Sequence, residues 1–148
     1  MIGPFTGNFR FLSNFYPLRR FVWRGEEWPT VEHAFQAAKV MGGPVWERIK
    51  LAKTPGEAKR MGRRAALRED WESVKVPIMY ELLTIKFRDP YLFRKLLETG
   101  EHDLVEINDW GDTFWGVCNG KGENFLGMLL MLVRDDKREI MVAVENYL

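Results

Sequence analysis

Between Trp28 and Gly100 the chain is cut into short pieces by residues that start or stop helices, and this punctuation limits what it can fold into. Thr30 follows Trp28-Pro29 as an N-cap for a helix through Val31, Phe35 and Ala38, and Gly42-Gly43-Pro44 stops it. The spacing predicts a second helix over Val45 to Lys53 and a third that starts at Pro55 and carries Ala58, Met61 and Ala65. A fourth is expected over Pro77 to Phe87, and Asp89-Pro90 opens another that runs to Gly100. Aromatic clusters flank this helical stretch. Phe9, Phe11 and Phe15-Tyr16-Pro17 surround Ser13-Asn14, and Phe21-Val22-Trp23 precedes Arg24-Gly25-Glu26, which predicts short strands joined by turns. Leu104 to Ile107 reads as a half-buried strand with Phe114 to Val117 as its hairpin partner. Phe125 to Val133 reads as a core helix that Glu139 to Leu148 continues or follows. The expected fold is therefore α+β and mostly α-helical, a single domain over residues 1–148 with short strands.

Composition supports one compact unit. With 148 residues, 46% of them hydrophobic and 29% charged, the chain can fill one core, and disordered, collagen-like and coiled-coil classes drop out. Lys+Arg 22 against Asp+Glu 21 argues against holding nucleic acid by bulk charge, so any such contact is local. The lone Cys118 excludes an intramolecular disulfide, and with His33 and His102 as the two histidines no metal site is expected. A reducing compartment, the cytoplasm, is the expected location; the N-terminus does not read as a signal peptide and no apolar run approaches the ~20 residues of a membrane span. Six tryptophans are many for this length, and Trp28, Trp71 and Trp110 each adjoin an acidic residue. Such rings either complete a core or stack on a planar ligand.

Glu32, Gln36 and Lys39 stand at i, i+4 and i+7, so they share one face of the first helix while Phe35 and Ala38 turn to another. Glu32 and Lys39 would lie about 10 Å apart along the axis, wide enough to bracket a sugar. The same spacing also describes a solvated face, with Glu32 near the positive end of the helix and Lys39 near the negative end. Lys59-Arg60 and Arg63-Arg64 repeat at i+4 and can hold a phosphate or simply be surface. The loop Asn119-Gly120-Lys121-Gly122-Glu123-Asn124 precedes a helix; it either turns N–H groups toward an anion or serves as an ordinary Gly-rich turn. Glu106, Asp109 and Asp112 crowd the segment before it, as acid–base carboxylates or as turn formers. Ser13 lacks a nucleophile-elbow context and Cys118 has no neighbouring histidine in sequence, so neither reads as a nucleophile.

These segments occur in a fixed order: Phe11-Leu12-Ser13-Asn14-Phe15, Trp28-Pro29-Thr30-Val31-Glu32-His33, Phe35-Gln36-Ala37-Ala38-Lys39, Met61-Gly62-Arg63, Trp71-Glu72-Ser73-Val74-Lys75, Phe114-Trp115-Gly116 and the Asn119–Asn124 loop. Together they resemble the NADAR (NAD- and ADP-ribose-associated), or YbiA-like, family over nearly the whole chain. The resemblance implies N-glycosidase chemistry on ribosylated amines. Its substrates would be phosphoribosylamino pyrimidine intermediates of riboflavin biosynthesis, or ADP-ribosylated guanine in DNA, with no cofactor; a module that binds ADP-ribose or NAD without cleaving it is the alternative.

Carried over position by position, the resemblance implies catalytic roles for Glu32, Lys39 and Asp112, with Trp71 stacking on the base. Cleaving a ribosyl C–N bond develops positive charge on the sugar, which a carboxylate such as Glu32 can stabilise. A neutral Lys39 amine can instead attack C1′ of an opened ribose, provided that burial or a cationic neighbour lowers its pKa. Substrate contacts are expected from Ser13, Asn14, Gln36, Arg63, Trp115, Gly116, Asn119, Gly120, Lys121, Gly122 and Asn124. The loop glycines and Arg63 would hold the phosphate.

Overall fold

The structure is a computed structural model that describes residues 1–147; Leu148, the expected end of the last helical segment, lies outside the described residues. The chain divides into two compact units, a middle unit, Asn14–Lys86, and a terminal unit formed by Met1–Ser13 and the chain from Phe87 onward.

The middle unit opens with β1 (Val22–Trp23) and β2 (Glu26–Glu27), an antiparallel pair in which Trp23 faces Glu26. Arg24 and Gly25 both have positive φ, as a two-residue turn of the primed type requires. Helix α1 (Val31–Ala38) starts where expected: the Thr30 hydroxyl accepts the His33 N–H at 3.1 Å. The ring of His33 then joins two segments, with Nδ1 2.8 Å from Thr30 Oγ1 and Nε2 3.0 Å from the Ala52 carbonyl. Next come α2 (Gly43–Lys50) and α3 (Pro55–Arg64), the latter capped by Thr54, which accepts the Glu57 N–H. Helix α4 (Trp71–Lys86) begins six residues before the expected start at Pro77, which lies inside it. Proline lacks the N–H and crowds the preceding turn. The helix nevertheless continues back to Asp70, whose carbonyl accepts the Ser73 and Val74 N–H groups, because Trp71 is buried against Phe35 at 5.1 Å between ring centroids.

Three tryptophans build the core of this unit. Trp46 lies 5.7 Å from Trp23 and 5.0 Å from Trp28, and all three are buried. Each indole N–H has an acceptor: Trp28 donates to the Trp23 carbonyl, Trp23 to Glu81 and Trp46 to Glu26. Trp28 therefore completes a core. All eight residues of α1 are buried, which places this helix inside its unit.

In the terminal unit, the strand expected around Phe9 and Phe11 is a 3-10 helix, Gly7–Leu12. Its i→i+3 bonds, Phe9 N–H to Thr6 and Ser13 N–H to Arg10, turn Phe11 and Leu12 inward. Helix α5 (Pro90–Glu98) is capped by Asp89, which accepts the N–H groups of Tyr91 and Leu92. The strands β3 (Ile107–Asn108) and β4 (Val117–Cys118) pair in parallel, which corrects the expected hairpin of Leu104–Ile107 with Phe114–Val117. The Asn108 side chain explains the difference: its Oδ1 accepts the Asp112 N–H and its Nδ2 donates to the Asp112 carbonyl, folding the connection back over it. Leu104 pairs instead with Ile2. Helix α6 (Phe125–Tyr147) is continuous, so the second segment continues the first. Leu126, Leu129, Leu130 and Val133 are buried, whereas residues 139–146 are exposed. Arg134 ties α6 to the end of α5, donating to Thr99 Oγ1 and to the His102 carbonyl.

Candidate active site

The polar face of α1 is buried. Glu32 is 7% exposed and Gln36 4%, which overturns the solvated-face reading of their spacing. Placing a carboxylate and an amide in a core is costly unless they are partnered or used. Glu32 sits in the first turn, where helix N–H groups favour negative charge, and its own N–H donates to the Asn14 carbonyl at 3.1 Å. Gln36 Nε2 donates to Glu32 Oε1 at 2.8 Å. The Gln36 Oε1 atom is buried without a hydrogen-bond partner, and so is Oδ1 of the buried Asn14, whose Nδ2 donates to the weakly accepting sulfur of Met79. Both orphaned atoms accept, so the chemistry they call for is a donor such as a hydroxyl or an amine.

Lys39 follows the last turn of α1 in helical conformation, and its carbonyl accepts the Arg68 N–H at 2.9 Å. Burial of the ammonium pushes its pKa below the ordinary lysine value. The Glu32 charge works against this shift, whereas Arg63 and Lys59 of α3 reinforce it. The middle unit thus gathers Glu32, Gln36, Lys39, Asn14 and the field of Arg63 about one helix. Arg63 itself is exposed. Trp71 is 6% exposed and committed to Phe35, so its ring serves packing first.

The expected residues of the terminal unit have structural partners. Asp112 Oδ1 accepts the N–H groups of Phe114 and Trp115 at 3.1 and 2.9 Å, a turn-forming role. Half-buried Trp115 meets Phe114 edge-on at 4.8 Å. A side chain at Gly116 would come within 2.2 Å of the Glu106 carbonyl oxygen. Asn119 and Gly120, at φ 53° and 76°, form a tight turn closed by paired bonds between Cys118 and Lys121. Asn124 accepts the Glu106 N–H and donates to the Leu104 carbonyl. The N–H groups of Glu123, Asn124, Phe125 and Leu126 bond to the carbonyls of Thr113, Gly116, Phe114 and Trp115. Those donors at the start of α6 are engaged within the fold, and the expected loop residues Asn119, Gly120, Lys121 and Gly122 are exposed. Ser13 is half-buried at the end of the 3-10 helix, its N–H on the Arg10 carbonyl.

Two residues escaped sequence reasoning as participants. Gly62 of α3 packs against the Gln36 amide, and Asn108 organises the turn that holds Asp112. The Met61-Gly62-Arg63 run flagged the first without giving its reason, which is the close approach of α3 to α1.

A buried carboxylate on a helix that leads into a desolvated lysine fits the class of hydrolases acting on N-glycosyl bonds, and several relatives of this chain are named N-glycosidase. The chain belongs to the NADAR family, whose domain model matches residues 4–138. It is 44% identical over 115 residues to N-glycosidase YbiA of Shigella boydii, across 75% of this chain and 71% of that protein. It is 42% identical over 123 residues to the chloroplastic riboflavin biosynthesis protein PYRR of Zea mays, across 74% of this chain but 20% of that protein, so it spans about a fifth of that relative. The NMR structure of Escherichia coli YbiA superimposes with a TM-score of 0.78 at 36% identity, over 99% of this chain and 85% of the other. No helix among the described residues is long and apolar enough to cross a membrane.

Proposed function

We propose that this protein is an N-glycosidase that hydrolyses the bond between C1′ of a ribosyl phosphate or ADP-ribosyl group and an amine or base. The observation that carries this reading is the burial of Glu32 and Gln36 with Lys39 on one helix, because a fold has no structural need for such a polar face in its core. Glu32 takes a proton from water as the water oxygen bonds to C1′; the C1′–N pair leaves with nitrogen, which receives that proton from Glu32. Asn14 supplies an acceptor for a sugar hydroxyl, and Arg63 supplies charge for the phosphate. In the terminal unit, Asp112 orders Phe114 and Trp115, and Lys121 is the charged group of the loop through Asn119 and Gly122. We assign both units to one NADAR domain acting in a reducing compartment such as the cytoplasm.

The names of the maize relative and of riboflavin biosynthesis protein VVA0006 of Vibrio vulnificus favour a phosphoribosylamino pyrimidine as substrate. The lowered pKa of Lys39 favours a second route, on ADP-ribosylated guanine in DNA: the neutral amine adds to C1′ of the ring-opened ribose, the C1′–N bond to guanine breaks as that nitrogen takes a proton from the amine, and water hydrolyses the resulting imine to free lysine and the sugar aldehyde. Incubation with each substrate, followed by chromatography of the products, separates the two. Cleavage of either supports the glycosidase; silence on both, with ADP-ribose still bound, makes the protein a binding module.

A further inference from the structure

Gln36 is held by shape at one end and by charge at the other. A Cβ built on Gly62 would lie 1.8 Å from Gln36 Oε1, 2.7 Å from its Cδ and 3.1 Å from its Cβ, so the amide occupies space that exists because residue 62 has no side chain. At the other end Nε2 meets Glu32 Oε1 at 2.8 Å. The ionised carboxylate dictates this orientation, since the reversed amide would set oxygen against oxygen. The buried Oε1 atom is left without a donor.

We propose that Gln36, seated on Gly62, is a positioning residue that serves Glu32 in both of its protonation states. While Glu32 is a carboxylate, the amide N–H holds it. Once Glu32 has taken the proton from water, a half-turn of the amide lets the new carboxylic O–H donate to Gln36 Oε1. The orphaned oxygen is the acceptor for that second state. When the proton passes on to the leaving nitrogen, the amide turns back. No atom is gained or lost by the pair beyond this one proton. The proposal rests on the acid–base role assigned to Glu32. The other titratable and charged groups about α1 are His33 on the helix itself, Lys39 just after its last turn, and Glu57, Lys59 and Arg63 on α3. On α2, Lys50 pairs with Glu26 and Glu47; on α4, Lys75 pairs with Glu72, Glu81 accepts from Trp23, and Lys86 lies over Tyr16.

The test labels glutamate carboxyl carbons with carbon-13 and follows Glu32 by NMR against pH, its resonance identified by its loss in Glu32→Gln. Gln36→Met keeps the length of the side chain and removes the amide. Its Glu32 midpoint is expected about one pH unit above the parent's, because the carboxylate has lost a donor. The acidic limb of the activity profile moves with it, and kcat falls about tenfold while KM stays within roughly threefold. Gly62→Ala pushes the amide aside and raises the midpoint in the same way. In the double variant Gly62→Ala/Gln36→Ala, the shortened side chain restores the thermal stability lost in Gly62→Ala while the midpoint stays raised. An unchanged midpoint in whichever of these variants unfolds cooperatively overturns the proposal. A shifted midpoint in a protein that cleaves neither substrate overturns the glycosidase reading and leaves the hold on Glu32 standing.

Discussion

Lys39 carries a cost that can be measured apart from any activity. Burial lowers its pKa in the folded state, so over the interval below the ordinary lysine value the unfolded chain binds more protons, and stability rises with pH through that interval. Lys39→Met removes a poorly solvated charge. Its melting temperature at neutral pH is expected to rise by about 2–4 °C, read by calorimetry. If the imine route operates, borohydride added during turnover traps a covalent adduct on the parent and none on Lys39→Met. Asp112 belongs to a different class of residue. Because its carboxylate is used by two backbone N–H groups, Asp112→Asn, which keeps an accepting oxygen, should retain activity within about tenfold, whereas Asp112→Ala should lower both melting temperature and activity. Near-equal activity of the parent and Asp112→Ala in a kinetic assay would detach that turn from the reaction.

At the level of elements, local caps were the readable part of the sequence. Thr30, Thr54 and Asp89 each start the helix expected of them, because an N-cap satisfies nearby backbone N–H groups without help from distant residues. The start of α4 was not readable, since Pro77 signals a beginning and the burial of Trp71 against Phe35 decides otherwise. Pro77→Ala should therefore stabilise α4, by about 1–3 kcal/mol in chemical denaturation. The alternating aromatics at 9 and 11 resembled a strand, yet i→i+3 bonding bends them into a 3-10 helix. The parallel register of β3 and β4 depends on the Asn108 side chain, a contact with no periodic signature. Burial pushes the His33 pKa below its ordinary value of 6.5, even though the Ala52 carbonyl favours the charged ring. The unfolded chain then binds the proton more readily, so this contribution is complete above about pH 6.5 and is lost as pH falls through the lower folded value. Denaturant titrations at pH 7 and pH 5 should show that loss in the parent, and a smaller one in His33→Asn.

Across the whole molecule, an ordered set of short motifs carries the resemblance to the family, and the domain model and relatives bear it out. The polar spacing on α1 did not reveal its burial, because a solvated stripe and a buried one share the pattern i, i+4, i+7; only the neighbouring helix α3, close enough to seat Gln36 on Gly62, distinguishes them. Nor did the Gly-rich loop reveal that the backbone donors from Glu123 to Leu126 are consumed by carbonyls of its own unit. Whether the buried carboxylate on α1 performs the chemistry is decided by comparing Glu32→Gln with the parent in turnover and in ligand binding. Glu32→Gln is expected to lose at least about a hundredfold in turnover while its affinity for ribose phosphate or ADP-ribose stays within roughly a few-fold. Equal turnover by the variant and the parent would contradict that role for the carboxylate.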